Sequence, residues 1–372
     1  MRLQVDGTRY GNFVGAEAVL RLDALSRTFG FEATSSQAQP LPFRGGESCL
    51  VFADGEQILD GFIELVNVDG DGGSHKIDVQ GRDRTADLLD SGLGRLSDLR
   101  APISLRAIVE RVVAHLGTDL DVLDLANPAP FTRAEDLAAP EPGENAFEFL
   151  EALARKRQVL LTSDGSGRLV ISSATGTVVD ARIEHRRQGT SSNNVLTYSV
   201  SYDSTGRFNS YKSISQLNAV ALSLGGGDVS PSSVASQGTT KTVTDGEVRR
   251  GRQLVLVGES SFSTAEGARR ASWEANIRRA RGKTYSATVH GYRNQAGLLW
   301  TPNTLVQVVD DFAGINDRML VNSVTFSMSE GEGRTTTLAL VEKDAYTLIV
   351  SEPVEGSKKG LGIGLELDPE LV

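Results

Sequence analysis

Residues 269–340 read RRASWEANIRRARGKTYSATVHGYRNQAGLLWTPNTLVQVVDDFAGINDRMLVNSVTFSMSEGEGRTTTLAL. The stretch opens as a charged helix of Arg and Ala carrying Trp273, and changes period at Lys283. From there apolar residues alternate, as in strands with one buried face. A strand ends at Val289 to Tyr292, a turn carries Gly297, and the segment Leu299-Trp300-Thr301-Pro302-Asn303 follows. Three strands then run over Val306 to Val309, Met319 to Met328 and Thr335 to Val341. Short strands in this order predict a small antiparallel barrel, and no catalytic constellation lies among them. The basic cluster Arg278-Arg279-Ala280-Arg281-Gly282-Lys283 closes the helix, where cations complement the C-terminal partial charge.

Working outward, residues 1–90 show the same logic. Leu3-Gln4-Val5 runs into an Asp6-Gly7 turn, and strands are expected over 17–25, 30–34, 48–53, 57–68 and 74–81. Asp54-Gly55, Asp69-Gly70 and Gly72-Gly73 supply turns between them. Residues 91–185 change period: Leu105, Ile108, Val109, Val112, Val113 and Leu116 recur at helical spacing between Ser104 and Gly117. A second helix places Ala146, Phe147, Phe149, Leu150, Leu153 and Ala154 on one face, and strands 159–162 and 168–172 flank Asp164-Gly165-Ser166-Gly167.

Strands resume at 195–202 and 208–215 and continue from Lys283. The expected fold class is therefore α+β, mainly β. A first barrel spans 1–90 and an α+β module 91–185. A second barrel is split into 186–217 and 283–350 by a strand and helix excursion over 218–282, and an extended tail covers 351–372. The excursion holds Gly225-Gly226-Gly227 and a Ser-rich loop. The two barrels read as a pseudo-repeat in their pattern of strands and Gly-Asp turns, without visible identity.

The chain has 372 residues, net charge −10, 39% hydrophobic residues and 39 glycines. That length accommodates two to four domains. No run reaches the roughly 18 apolar residues of a membrane span, and MRLQVDGTRYGN lacks the features of a signal peptide, so folding in a cytoplasm and no stable membrane association are expected. The acidic balance argues against general nucleic-acid binding, which needs clustered cations.

Several residues invite a chemical reading. One cysteine, Cys49, sits in the β-like run Ser48-Cys49-Leu50-Val51-Phe52 and reads as a buried structural thiol. Asp69-Gly70-Asp71-Gly72-Gly73 imitates a calcium loop, but position twelve is Gln80 and the flanks are strands, which favours a hairpin turn. Asp83, Asp87 and Asp90 interleave with Arg82 and Arg84, as ion pairs and helix-start charges do. His75, His115, His185 and His290 lie in four separate elements, without zinc spacing. Neither catalytic, cofactor nor metal residues are assigned, so a non-enzymatic protein without cofactors is expected. The glycines of 359–364 imitate a phosphate loop without its strand and helix. In the tail, Leu361, Ile363, Leu365 and Leu367 alternate like a strand suited to a partner's sheet edge.

Gly81-Arg82-Asp83-Arg84-Thr85-Ala86-Asp87-Leu88, together with Trp300, Pro302 and Asn303 in the 269–340 block, gives the chain its resemblance to the baseplate hub proteins of Mu-like contractile-tailed bacteriophages. The likeness runs through nearly the whole chain and thins over 218–260 and after Glu352. It implies a homotrimeric ring in the virion baseplate, assembled in the bacterial host cytoplasm. Two barrels from each of three subunits would offer a pseudo-sixfold surface to the tail tube or tube-initiator proteins. A trimeric membrane-piercing spike would dock on the other side, and DNA would pass through the lumen without specific binding. A tailocin or type VI-like hub is the alternative, with a hub carrying cell-wall hydrolase activity behind it. The chain ends too early for a fused β-helical needle.

Overall fold

The computed structural model describes residues 1–35, 43–71, 73–96, 99–132, 137, 139–141, 143–187, 192–214, 240–257 and 264–346. The glycine and serine runs of 225–239 and the tail with Leu361, Ile363, Leu365 and Leu367 lie outside them.

Strands β1 (Arg2–Val5), β2 (Thr8–Tyr10), β3 (Gly15–Arg21), β4 (Thr28–Ser35), β5 (Ser48–Ala53), β6 (Glu56–Gly70) and β7 (His75–Asp83) come first. Helix α1 (Ala86–Asp90) leads into a module of α2 (Leu105–Leu116), β8 (Val122–Asp124), α3 (Ala146–Arg157), β9 (Leu160–Ser163) and β10 (Leu169–Ser172). Strands β11 (Thr177–His185) and β12 (Val195–Tyr202) follow, then an excursion of β13 (Ser210–Ile214), β14 (Thr240–Thr244), β15 (Gln253–Val257) and α4 (Thr264–Gly282). The chain returns through β16 (Lys283–His290), β17 (Thr304–Asp310), β18 (Ile315–Ser329) and β19 (Gly333–Glu342).

The fold is mainly β, but the two closed barrels expected from the sequence are not what the pairing gives. One 13-stranded sheet runs β12-β16-β19-β18-β3-β4-β7-β6-β5-β1-β2, with β17 beside β18 and β11 beside β17, and no ring of pairs closes among the described residues. The reason lies in β18, whose 15 residues serve two neighbours on one edge. Its first part pairs with β17 and Ser323–Ser329 pair with β3. A register shift at Asn322 separates the two parts, as a bulge turns a strand toward a new partner. One hydrophobic core follows, from Leu3, Phe31 and Ile63 through Ile183 and Tyr285 to Phe326 and Leu340.

The pseudo-repeat is visible in the strand order. The first half runs β3-β4-β7-β6-β5-β1 and the second β12-β16-β19-β18-β17-β11, with the strands of each half in the same chain order. Both central strands have 15 residues and a register shift near the middle, at Glu64 in β6 and Asn322 in β18. The correspondence reaches single residues. Gly46, at φ 106°, donates its N–H to Ile63 O at 2.7 Å, and Asn303, at φ 60°, donates to Val321 O at 2.9 Å. Three residues before each, Phe43 and Trp300 enter the core. The last strands differ: β1 is antiparallel to β5, whereas β11 is parallel to β17.

Two strands sit elsewhere than the sequence suggested. Thr177–His185 fell within the module, yet β11 joins the large sheet, because its partner β17 lies more than a hundred residues away and leaves no local mark. Residues 208–215 were read as part of the second barrel, yet β13 is the centre of a separate β14-β13-β15 sheet. There Tyr211 packs on Ala271 and Ala275 of α4, and the other side of α4 sets Trp273, Ile277 and Ala280 against Leu320 and Val341 of the large sheet.

The module has its own core, built from Ile108, Val109, Val112, Phe149, Leu150, Leu153 and Leu169. Helix α2 is capped as the sequence predicted: Ser104 Oγ accepts from Ala107 N at 3.2 Å and Gly117 adopts φ 68°. Asn145 Oδ1 accepts from Phe147 N at 2.9 Å at the start of α3.

Candidate functional site: the Asp83 junction and the free strand edges

The segment 81–88 is where the first half-sheet hands the chain to the module. Gly81 lies so close to β6 that an added Cβ would stand 2.1 Å from Phe62 O and 2.5 Å from the Phe29 ring, so only glycine fits. Arg82 pairs with Glu64 at 2.7 Å and also with Asp90. Arg84 donates to Asp60 Oδ1 at 2.8 Å and lies over the Phe62 ring.

Asp83 is fully buried. Its Oδ1 accepts from Ser26 Oγ at 2.8 Å, Thr85 Oγ1 at 2.6 Å and Thr85 N at 3.2 Å. Its Oδ2 accepts from Arg27 N at 3.0 Å and from Ser163 Oγ. One carboxylate thus ties the β3–β4 turn, the end of β7 and strand β9 of the module. Arg27 completes the joint, donating to Ile58 O at 2.7 Å and Ser163 O at 2.9 Å. Burial lowers the Arg27 pKa, and the neighbouring Asp83 charge opposes that shift. Leu88 is buried in the module core, and Asp87 is exposed beyond it. Ringed by donors, Asp83 has the environment of a structural acceptor and forms no pair with Asp87.

The second signature segment has a comparable task. Trp300 is 2% exposed, and its backbone N–H donates to Tyr292 O at 3.1 Å. Pro302 is half-buried behind it. Asn303 takes the left-handed conformation that Asn tolerates better than most residues. Its Oδ1 accepts from Gly176 N at 3.0 Å and its Nδ2 reaches Ser172 Oγ at 3.2 Å. The second half-sheet is thereby fastened to the exit of the module.

Sequence reasoning missed one polar cluster. Asp310 is fully buried; Tyr285 Oη donates to its Oδ2 at 2.8 Å and His185 Nδ1 lies 3.2 Å from the same oxygen. Its Oδ1 accepts from Phe312 N and Ala313 N at 2.9 and 2.8 Å. Burial first, then the Asp310 hydrogen bond, pushes the Tyr285 pKa up. The cluster braces β11, β16 and the β17–β18 turn. Only the Asp-Asp pair at 310–311 before the turn hinted at it.

Among the described residues no group of three His, Cys, Asp or Glu side chains is placed to hold a metal ion. Asp69 and Gly70, expected in a turn, still belong to β6 and pair with Lys76 and His75; the turn follows them, where Asp71 Oδ1 accepts from Gly73 N and Ser74 N at 2.9 Å each, which is hairpin-turn chemistry. His75, His115, His185 and His290 remain in separate elements. No helix among the described residues is long and apolar enough to cross a membrane.

Of the exposed apolar residues, Leu125, Val178, Val255, Val257 and Leu298 are scattered, whereas Leu65, Val68, Leu196 and Tyr202 lie on two strand edges that have no ladder partner among the described residues. Among the described residues the outer half of β6, Leu65–Gly70, pairs on one side only, with β7. It exposes Leu65 and Val68. Among the described residues strand β12 pairs only with β16; it exposes Leu196 and Tyr202 and lies beside Phe312, with Tyr202 Oη donating to Ala313 O at 3.1 Å. Free edges with apolar side chains are pairing surfaces unless covered.

The fold is shared by two solved structures, a prophage tail protein and a type VI secretion component. The 43 kDa tail protein of prophage MuSo2 from Shewanella oneidensis superposes with a TM-score of 0.78 at 29% identity, over 93% of this chain and 99% of its own. A component of the Escherichia coli type VI secretion system shares the fold at 13% identity and a TM-score of 0.57, over 94% of this chain and 78% of its own.

In sequence, residues 1–83 match the Mu phage baseplate assembly protein GpP-like N-terminal domain, and 85–173 match the baseplate hub protein gp44-like second domain. Residues 263–349 match the fourth domain of Mu phage baseplate assembly protein GpP. The baseplate hub protein gp44 of Escherichia phage Mu is 27% identical over 310 residues, 82% of this chain and 76% of that protein. The chain belongs to the family of baseplate hub proteins of Mu-like contractile-tailed bacteriophages, as a structural component of the phage baseplate.

Proposed function

We propose that the chain is a symmetry adaptor: three copies form a ring that joins the hexameric tail tube to the trimeric membrane-piercing spike and continues the DNA channel. The observation that carries this reading is the duplicated strand order. Two matching half-sheets per chain, three chains to a ring, offer six similar faces to a sixfold tube while threefold symmetry is kept for the spike. The half-sheets act as the two small barrels, completed by neighbouring chains. The module at 91–185 and the excursion at 218–282 project from the ring, and the tail at 351–372 lies along a partner's sheet edge. The role is mechanical and non-enzymatic, with assembly in the host cytoplasm and with DNA passing without specific binding. The net charge of −10 supports a lumen that repels phosphate.

The type VI-like fold favours a second reading, the hub of a tailocin or related injector, in which the same ring carries no DNA. Light scattering on the purified chain tests the ring in both. A mass of three times 39.8 kDa, about 119 kDa, is expected. A 39.8 kDa species at every concentration refutes it.

A further inference from the structure

Inside the chain the two half-sheets are joined by a ladder between β18 and β3, with Val324 opposite Leu20, Phe326 opposite Ala18 and Met328 opposite Ala16. Each half therefore owns one donor edge and one acceptor edge. The second half uses its donor edge on β18 and the first half its acceptor edge on β3. Their counterparts, the outer half of β6 and the edge of β12, have no ladder partner among the described residues.

We infer that these two free edges pair with each other between copies of this chain, repeating the β18–β3 junction. The inference rests on the ring reading and specifies its interface. The register can be worked out from the ladders. Aligning the bulges at Glu64 and Asn322 sets Val66 on Val324, Val68 on Phe326 and Gly70 on Met328. Val79 lies opposite Val66 as Leu338 lies opposite Val324. Phe31 is opposite Val79, and Ala287 is opposite Leu338. Ala16 is opposite Phe31, and Tyr198 is opposite Ala287. Tyr198, Val200 and Tyr202 thus correspond to Ala16, Ala18 and Leu20. The interchain pairs are Val66 with Tyr202, Val68 with Val200 and Gly70 with Tyr198.

Three features of the edges fit this pairing. The apolar positions of the intrachain junction are closed, with Phe326 at 0% and Leu20 at 2% exposure, while their counterparts Val68 and Tyr202 stand open at 49% and 64%. The bulky Tyr198 meets Gly70, and on the other face Asn67 and Asp69 meet Ser201 and Ser199, so no like charges oppose across the ladder. The β5–β6 turn already reaches across the intrachain junction, where Asp54 accepts from Arg334 Nη1 at 2.8 Å. The equivalent β17–β18 turn carries Phe312, 72% exposed, and the same operation sets it against His75 of the neighbouring copy. The contact joins unlike surfaces head to tail, so it extends to a ring instead of stopping at a two-fold dimer.

Cysteine cross-linking tests the register, with the buried native Cys49 left in place. Val68→Cys and Val200→Cys chains are made separately, mixed, oxidised and run beside light scattering of the same samples. The expected result is a disulfide-linked dimer from the mixture and none from either variant alone. A chain carrying both substitutions should give a covalent ladder ending at three copies. Val68→Cys with Leu196→Cys, about 13 Å out of register at roughly 3.3 Å per residue, should not link. Tyr202→Glu, at a surface position, should raise the trimer dissociation constant at least tenfold while leaving the circular dichroism of the chain unchanged. A trimer that forms without the 68–200 link, or a link of Val68→Cys with itself, overturns the pairing and leaves the ring standing. A chain that stays monomeric overturns the ring itself.

Discussion

Replacing Asp83 by Ala removes an acceptor that serves five donors, and does so at zero exposure. Hydrogen bonds to a charged group contribute about 1.5–3 kcal/mol each, but they are not additive where the donors share one carboxylate. The governing cost is that of leaving the buried hydroxyls and backbone amides without an acceptor, about 1–3 kcal/mol for a group left unsatisfied, while the Arg27 guanidinium also loses the nearby charge that opposes its desolvation. Asp83→Asn keeps one oxygen but turns an N–H₂ toward donors, for about 1–3 kcal/mol. Urea unfolding followed by far-ultraviolet circular dichroism gives the differences. Amide exchange locates them: α1, β9 and residues 25–28 should lose protection before the central strands β18 and β19. An Asp83→Ala protein within about 0.5 kcal/mol of the parent, or one whose protection falls evenly, would refute the idea that this carboxylate fastens the module to the sheet.

Four further outcomes are expected. Gly81→Ala should not accumulate as soluble folded protein, whereas Gly30→Ala, whose new Cβ would meet nothing within 4 Å, should be tolerated; expression and circular dichroism of the pair decide it. Trp300→Ala should lose about 3–5 kcal/mol of stability. Trp300→Phe should lose much less, because the indole Nε1 has no acceptor among the described residues. Burial raises Tyr292 to about 12 and shifts Tyr285 and Tyr346 upward. Their neutral forms thus stabilise the fold fully below the unfolded tyrosine pKa of about 10, and stability should fall as pH rises from about 10 through 12; a melting temperature flat across that window would count against it. The Cys49 thiol, pushed up to about 12 chiefly by burial, should react with a thiol reagent at pH 8 only at the rate of unfolding, and fast labelling of the native protein would contradict its placement.

Elements were legible in the sequence wherever a local pattern specified them. The 3.6-residue period between Ser104 and Gly117 marked α2, and the cap bonds are there. Asp54-Gly55 marked the β5–β6 hairpin, whereas Asp69-Gly70, read as a turn, lies in the last pairs of the β6–β7 ladder. The residues 81–88 and 300–303 stood out as signatures, but their task did not, since Asp83 owes its role to Ser26 and Ser163, residues 57 and 80 positions away.

What the sequence determined by itself was most of the elements and the family, because periodicity, caps and turn residues act over a few positions and the signature segments keep their order; the strands Val122–Asp124 and Thr177–His185 carried no such local mark. Which strands pair was decided only in the tertiary structure. A backbone ladder is indifferent to side-chain identity, so nothing in Gly15–Arg21 announces that β18, some three hundred residues later, will be its neighbour. Nothing in Thr177–His185 announces the parallel β17 either. Those long-range ladders put the strands of two expected barrels into one continuous sheet, and left the outer half of β6 and the edge of β12 without a partner among the described residues.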